Sequence, residues 1–236
     1  MKKTRKPKGC WFWIKRTFLI MFVSSFIYLL ICKWVMPPIT ITQITNAFGY
    51  GLKRDYVSWN EISPNVKLAA MASEDQLFPD HNGFDWKSIE KSISTQPNKK
   101  YKVRGAGAST ISQQVAKNVF LWQGNGVLKY IRKVPEFYFT LLIEWIWSKQ
   151  RILEVYLNVA EMGPGIFGIE AAAQNYFHKN AKNLSAREAA MIIASLQNPK
   201  KYTVVPLSKR VAWKSNWILQ QMNNISRDPD VRKLAK

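Results

Sequence analysis

The chain has 236 residues, 47% of them hydrophobic, and a formal net charge of +20. That length and composition exclude a disordered or fibrous chain and leave room for one globular domain plus an appendage. Set against 15 Asp+Glu, the 35 Lys+Arg point to an anionic partner: nucleic acid, an anionic membrane surface or a phosphate-bearing substrate.

Residues 1–36 carry eight basic residues (Lys2, Lys3, Arg5, Lys6, Lys8, Lys15, Arg16 and Lys33) and no acidic one. Taking those eight from +20 leaves +12, so the body is basic as well as the tail. The two cysteines, Cys10 and Cys32, lie in or beside the same segment. The remainder therefore cannot hold a disulfide, a zinc–thiolate site or a cysteine nucleophile.

Thr17 to Cys32 is sixteen residues without a charge. Trp34, Val35 and Met36 extend it past Lys33, whose stem can snorkel, and Pro37-Pro38 stops the helix. The spacing predicts a transmembrane helix over 17–36, preceded by a basic cytoplasmic tail over 1–16. Positive charge stays on the cytoplasmic side, which directs the body outside the cytoplasmic (inner) membrane, to the periplasmic side. A cleaved signal peptide is the alternative, but the run is long for one and no small-x-small site follows closely. An exported body rarely meets nucleic acid, so the anionic partner is sought at the membrane.

Residues 37–59 read as a connector with little helical periodicity. The body, 60–236, reads as mainly α, one domain of two lobes around a cleft. Ser63-Pro64 opens a helix running towards Leu77. Residues 109–121 repeat apolar positions at Ile111, Val115, Val119 and Phe120. Residues 136–147 are apolar nearly all round, which predicts a helix that is buried or touches lipid. A mixed-face helix follows over 149–158, then a loop at Gly163, Gly165 and Gly168. Ser185-x-x-Glu188 is a capping box before a further helix that Asn198-Pro199 ends.

Three segments carry candidate chemistry. In Ser73-Glu74-Asp75-Gln76-Leu77-Phe78-Pro79-Asp80-His81 the two carboxylates are adjacent. Neighbours on a helix point apart, so one can face a cleft while the other braces a loop. An exposed acidic helix end is the plainer alternative. In the second segment Thr110, Gln113, Gln114 and Lys117 recur at three and four and share a polar face, which suits a sugar with a phosphate. An ordinary solvated face is the alternative. In the third, Arg132 and Glu136 sit at i, i+4, either a surface ion pair or a second carboxylate beside the phosphate-binding Lys117. Ser88-x-x-Lys91 fits a transpeptidase signature, but no Ser-x-Asn or Lys-Thr-Gly partner follows, so it is read as chance. His81 and His178 lie too far apart in sequence to suggest a metal site, and no dedicated metal ligands are expected.

Taken together, these segments resemble the family-51 peptidoglycan glycosyltransferases, over residues from about 60 to 225. The motifs, in order, are Glu74-Asp75-x-x-Phe78-x-x-His81-x-Gly83; Gly107-x-Ser109-Thr110-x-x-Gln113-Gln114-x-x-Lys117-Asn118; Arg132-Lys133-x-x-Glu136; and Lys149-x-x-Ile152-Leu153-Glu154-x-Tyr156-Leu157-Asn158. A fifth, near Arg210 to Met222, matches less closely. The shape of the chain is similar to the monofunctional, single-anchor branch, which has no transpeptidase domain.

The resemblance implies a lysozyme-like, two-lobed fold and polymerisation of lipid II into glycan strands. It implies Glu74 and Glu136 as the catalytic acids. Asp75, Phe78, Ser109, Thr110, Gln113, Gln114, Lys117, Asn118, Arg132 and Lys133 are the implied substrate-binding or site-shaping residues. Lys129 stands near the position where the family often has a loop arginine. No cofactor is obligatory; magnesium or manganese bridging the substrate pyrophosphate is the one allowed. Lipid II, the lipid-linked glycan strand and the membrane are the expected partners, with other cell-wall synthases as further candidates and no nucleic acid. The rival readings are a lytic muramidase, which has no pyrophosphate to stabilise, and a non-catalytic assembly factor, which has no need of the two glutamates.

Overall fold

A computed structural model describes residues 9–86, 90, 109–124 and 126–236. Lys2, Lys3, Arg5, Lys6 and Lys8 of the tail, Ser88 and Lys91, and Gly107 of the second motif lie outside the described residues. The chain divides into two compact units, Met1–Met36 and Pro37–Lys236.

In the first unit, α1 (Cys10–Cys32) is long and apolar enough to cross a membrane. Its 23 residues extend about 35 Å at 1.5 Å per residue. It begins seven residues before Thr17, because the backbone stays helical through Lys15 and Arg16 although hydropathy drops there. It ends at Cys32, so Trp34 to Met36 lie beyond it.

The second unit begins at Pro37, and the expected connector is part of it. Residues 41–50 form α2 (Ile41–Tyr50) behind a capping box of Thr40 and Gln43. Such a cap contributes about 1 kcal/mol. This helix turns its polar side inward: Thr42, Gln43 and Asn46 are buried while Ile41, Ile44 and Phe48 are exposed. An apolar-inward template misses a helix of this kind, which is why the segment reads as irregular.

The body contains two groups of packed helices. In one, α3 (Pro64–Glu74) packs against three later helices, α9 (Ala186–Ser195), α10 (Lys209–Ile225) and α11 (Pro229–Ala235). In the other, α4 (Ile111–Phe120) packs on α6 (Lys133–Ile146) and α7 (Lys149–Val159), with the short α5 (Val127–Ile131) leading into α6. Ala69, Ala70, Met71, Ile192, Ile193 and Ile218 form core in the first group, and Ile111, Val115, Ile143, Ile152 and Leu153 in the second. Each large side chain so buried contributes about 1.5–3 kcal/mol.

The loop at 163–168 carries structure that strand alternation is too short to reveal. Strands β1 (Lys53–Arg54), β2 (Glu161–Gly163) and β3 (Ile166–Phe167) form a sheet of order β1-β3-β2, with β1 parallel and β2 antiparallel to β3. Helix α8 (Ile169–Phe177) follows and packs on both β3 and α9. Gly165 has φ +69°, and a Cβ there would meet the Gly51 carbonyl oxygen at 2.6 Å. Only glycine lets the turn approach the end of α2 this closely.

Two residues of the fourth motif secure the same region. The Asn158 amide pairs with both backbone groups of Val57, at 2.9 and 3.0 Å. The Glu154 carboxylate accepts from the Trp59 amide at 2.7 Å. The segment after α2 is thus strapped to α7.

Helix α6 is neither wholly buried nor wholly exposed. Phe139, Thr140 and Ile143 face the core, whereas Val134, Phe137, Leu141 and Trp145 are exposed. The near-continuous apolar run combines one core face with one uncovered apolar face.

Candidate active site

Helix α3 ends between the two adjacent carboxylates. Glu74 is its last residue, and Asp75 leaves the helix at φ −164°, ψ 83°. The break sends the side chains apart. Asp75 is buried and accepts from the Ile111 amide at 3.0 Å, at the start of α4, and from His81 Nε2 at 2.9 Å. His81 Nδ1 in turn accepts from the Gly83 amide at 3.1 Å, so Nε2 is the nitrogen that carries the proton. Phe78 is fully buried, with the Lys149 ammonium 4.6 Å from its ring centroid. Gly83 has φ +90°, and a Cβ there would lie 2.8 Å from Thr140 Cγ2 on α6. Asp75, Phe78, His81 and Gly83 therefore lock the loop after α3 against α4 and α6.

Glu74 faces different surroundings. Its Oε1 accepts from Ser73 Oγ at 2.8 Å and lies 3.4 Å from Lys214 Nζ on α10. Its Oε2 accepts from Gln114 Nε2 at 3.3 Å. Gln114 Oε1 accepts from the buried Tyr156 hydroxyl at 3.4 Å, which fixes the amide with its NH₂ towards Glu74. Burial, then the Glu74 and Asp75 charges, hold the Tyr156 phenol well above its usual range, so it stays a donor.

The polar face expected on α4 divides. Thr110 is the N-cap: its hydroxyl accepts from the Gln113 amide at 3.2 Å and donates to the Gly83 carbonyl at 2.7 Å. Gln113 folds back, its Oε1 accepting from the Thr110 amide at 2.9 Å. Both side chains serve the cap, and neither lines the cavity. Ser109 is half-buried just before the cap. Gln114, Lys117 and Asn118 line a cavity of about 570 Å³, together with Thr45 and Asn46 of α2, Tyr156 and residues 196–200.

The cations gather beside this cavity. Burial lowers the Lys117 ammonium below its ordinary value of 10.5; Arg132 also lowers it, Glu136 raises it, Lys133 lowers it and Glu74 raises it. Glu136 is buried, 3.4 Å from Arg132 Nε and 2.6 Å from Lys133 Nζ. Arg132 is buried too and donates to the Trp122 carbonyl at 2.8 Å. Lys129, on α5, is exposed. The site thus joins Glu74, the buried Glu136 and the cations Lys117, Arg132 and Lys133, with Glu161 on the cavity wall.

Two contributors escape the sequence reading. The polar side of α2 carries no signal in the sequence because the helix turns that side inward. Lys214 sits within the weak fifth motif, and its signal is its position: Val211, Lys214, Ser215, Ile218 and Met222 form the buried stripe of α10. A lysine in an apolar stripe costs desolvation and calls for a partner.

The helical architecture and this carboxylate-and-cation cleft suit a glycosyltransferase. The family described as Transglycosylase matches residues 41–223, beginning at the first residue of α2. The chain is 43% identical over 217 residues to the biosynthetic peptidoglycan transglycosylase of Bdellovibrio bacteriovorus, covering 89% of this chain and 84% of that one. It is 44% identical over 223 residues to the protein of the same description in Yersinia pseudotuberculosis, covering 91% and 90%. The chain belongs to the transglycosylase family and is a glycosyltransferase acting on peptidoglycan.

Proposed function

We propose that the chain polymerises lipid II by inverting transfer. The 4-hydroxyl of a lipid II acceptor attacks the anomeric carbon of an undecaprenyl-pyrophosphate-linked donor. A glycosidic C–O bond forms, the bond to pyrophosphate breaks with its electron pair, and the hydroxyl proton passes to Glu74 as general base. Lys117, Arg132 and Lys133 stabilise the departing pyrophosphate, where charge develops. Glu136 holds Arg132 and Lys133 in place. Asp75 and Phe78 shape the loop that carries Glu74, and Gln114 and Asn118 hydrogen-bond substrate. The observation that supports this reading best is Glu74 bonded to Gln114, with Gln114 and Lys117 lining one cavity.

The chain has no transpeptidase activity under this proposal, and α1 serves as a single-pass anchor in the cytoplasmic membrane, the N-terminus inside and the body outside. Both substrates have polyprenyl tails, so tethering the enzyme in the same bilayer raises the effective concentration of each for the other. Among the described residues no three His, Cys, Asp or Glu side chains converge to hold a metal. Magnesium or manganese is proposed only as a substrate-bound counter-ion.

Detergent-solubilised protein given labelled lipid-linked disaccharide-pentapeptide is expected to make polymer that a muramidase digests. Folded protein that makes none, with divalent cation present, overturns the polymerase reading in favour of a non-catalytic assembly role.

A pH profile follows from Lys117. Its charge is needed at the pyrophosphate and is lost as pH rises through a value below 10.5. The alkaline fall in kcat/KM is therefore expected below the ordinary lysine range. Lys117→Arg, whose guanidinium stays charged, is expected to move that fall to higher pH. A profile flat to pH 10.5 in the wild type would sink the assignment.

A further inference from the structure

The buried stripe of α10 contains one charge, Lys214, on a side chain only 5% exposed. Burial lowers its ammonium below the ordinary lysine value, while the Glu74 charge and hydrogen bond raise it and Arg210 lowers it. An apolar residue of similar length would fill the same space at no desolvation cost, and such replacements of buried ions are often neutral or stabilising. Packing therefore gives no reason for a lysine here. Its one ion-pair partner among the described residues is Glu74 Oε1, contributed by α3 from 140 residues earlier.

Glu74 is engaged unequally at its two oxygens. Oε1 meets two donors, Ser73 Oγ at 2.8 Å and Lys214 Nζ at 3.4 Å. Oε2 meets one, at 3.3 Å, on Gln114, which lines the cavity. A carboxylate pinned at one oxygen from the rear can turn only about that point. The oxygen left lightly held is the one beside the cavity, where a hydroxyl proton would be taken.

We propose that Lys214 is a positioning residue for Glu74, its ammonium holding Oε1 from the α10 side so that Oε2 is presented to the acceptor hydroxyl. The proposal rests on the reading of Glu74 as the general base. Ser73 alone, a neutral donor on the adjacent residue, does not supply this. It fixes the carboxylate relative to α3 only, whereas Lys214 ties it to α10, the helix packed against α3. Tyr156, acting through Gln114, holds the cavity side of the same carboxylate. The base is thus aimed by α3, α4 and α10 together.

The test is steady-state polymerisation by the full-length, detergent-solubilised chain, with kcat and KM for lipid-linked disaccharide measured separately and thermal unfolding followed alongside. Misplacing a reacting group by about 1 Å can cost about 10²-fold. Lys214→Met is expected to lower kcat by about that factor while KM stays within about threefold. Lys214→Arg keeps the charge and is expected to recover kcat to within about tenfold of wild type.

If Lys214→Met does not fold, Lys214→Gln takes its place; it keeps a donor without the charge and is expected to fall between the other two. A folded Lys214→Met with wild-type kcat overturns the proposal, as does a loss confined to KM. So does a folded Lys214→Arg no better than Lys214→Met. Glu74→Gln run beside them separates the two ideas: if that variant is active, it is the general-base reading that fails.

Discussion

Replacing Glu74 by glutamine is expected to lower polymerisation by about 10²- to 10⁴-fold, the range a general base contributes. The substitution keeps the shape of the side chain and its contact with Ser73. It removes the carboxylate beside Gln114 and Lys117 that is proposed to accept the hydroxyl proton. Glu74 is not needed for a cap, so the folded state is expected to survive, but the substitution leaves the buried Lys214 without its ion-pair partner and thermal unfolding is expected somewhat below wild type. Asp75 offers no substitute, because its oxygens are committed to the Ile111 amide and to His81. The check is a single assay of polymer formed by wild type and variant at equal concentration. Equal rates would mean that Glu74 is not the base, and Glu136 would be the next residue to change.

Glu136→Ala is expected to fail differently. Glu136 has a side chain 3% exposed and is paired with Arg132, itself 6% exposed. Removing one partner of a buried pair strands the other, at about 3–5 kcal/mol. Lys117, Arg132 and Lys133 then repel one another with no negative charge among them. Both stability and activity are expected to fall, the first seen in denaturant or thermal unfolding, the second as a loss in kcat/KM. A variant that unfolds like wild type yet makes no polymer would show instead that Glu136 contacts the reacting groups directly. One that is destabilised but, while folded, fully active would confine it to a structural part.

Much of this arrangement is legible from sequence where chemistry and periodicity coincide. The caps at Ser63 and Ser185 mark helix starts because their hydroxyls meet orphan amides, and both are found. The adjacency of Glu74 and Asp75 already requires opposite surroundings. What is hidden falls into two kinds. Helix α2 is hidden because its polar side faces inward, against the cleft, so its pattern runs opposite to an ordinary surface helix. The function of Lys214 is hidden because nothing local tells a lysine with a distant carboxylate from a solvated one; the apolar stripe around it is the sole hint. Thr110 and Gln113 illustrate the converse. Their spacing places them on a binding face, and in the structure the Thr110 hydroxyl and the Gln113 side-chain oxygen are taken up by the N-cap of α4.

The distances in sequence among the residues around Glu74 have a consequence for how the enzyme comes to be active. Gln114 lies 40 residues beyond Glu74, and Lys214 lies 140 residues beyond it. Contacts of such separation form late, after the entropy of closing long loops has been overcome. In a chain made from its N-terminus α3 is present long before α10, yet α3 packs on α9, α10 and α11 and its base is not placed until they follow. The finished carboxylate is assembled only after residue 214 has been made and has docked, so synthesis of the chain itself acts as a timer. Intermediates stalled upstream of α10 would have the anchor and the helices α4 to α7, but no packed α3 to carry the base, and so little turnover.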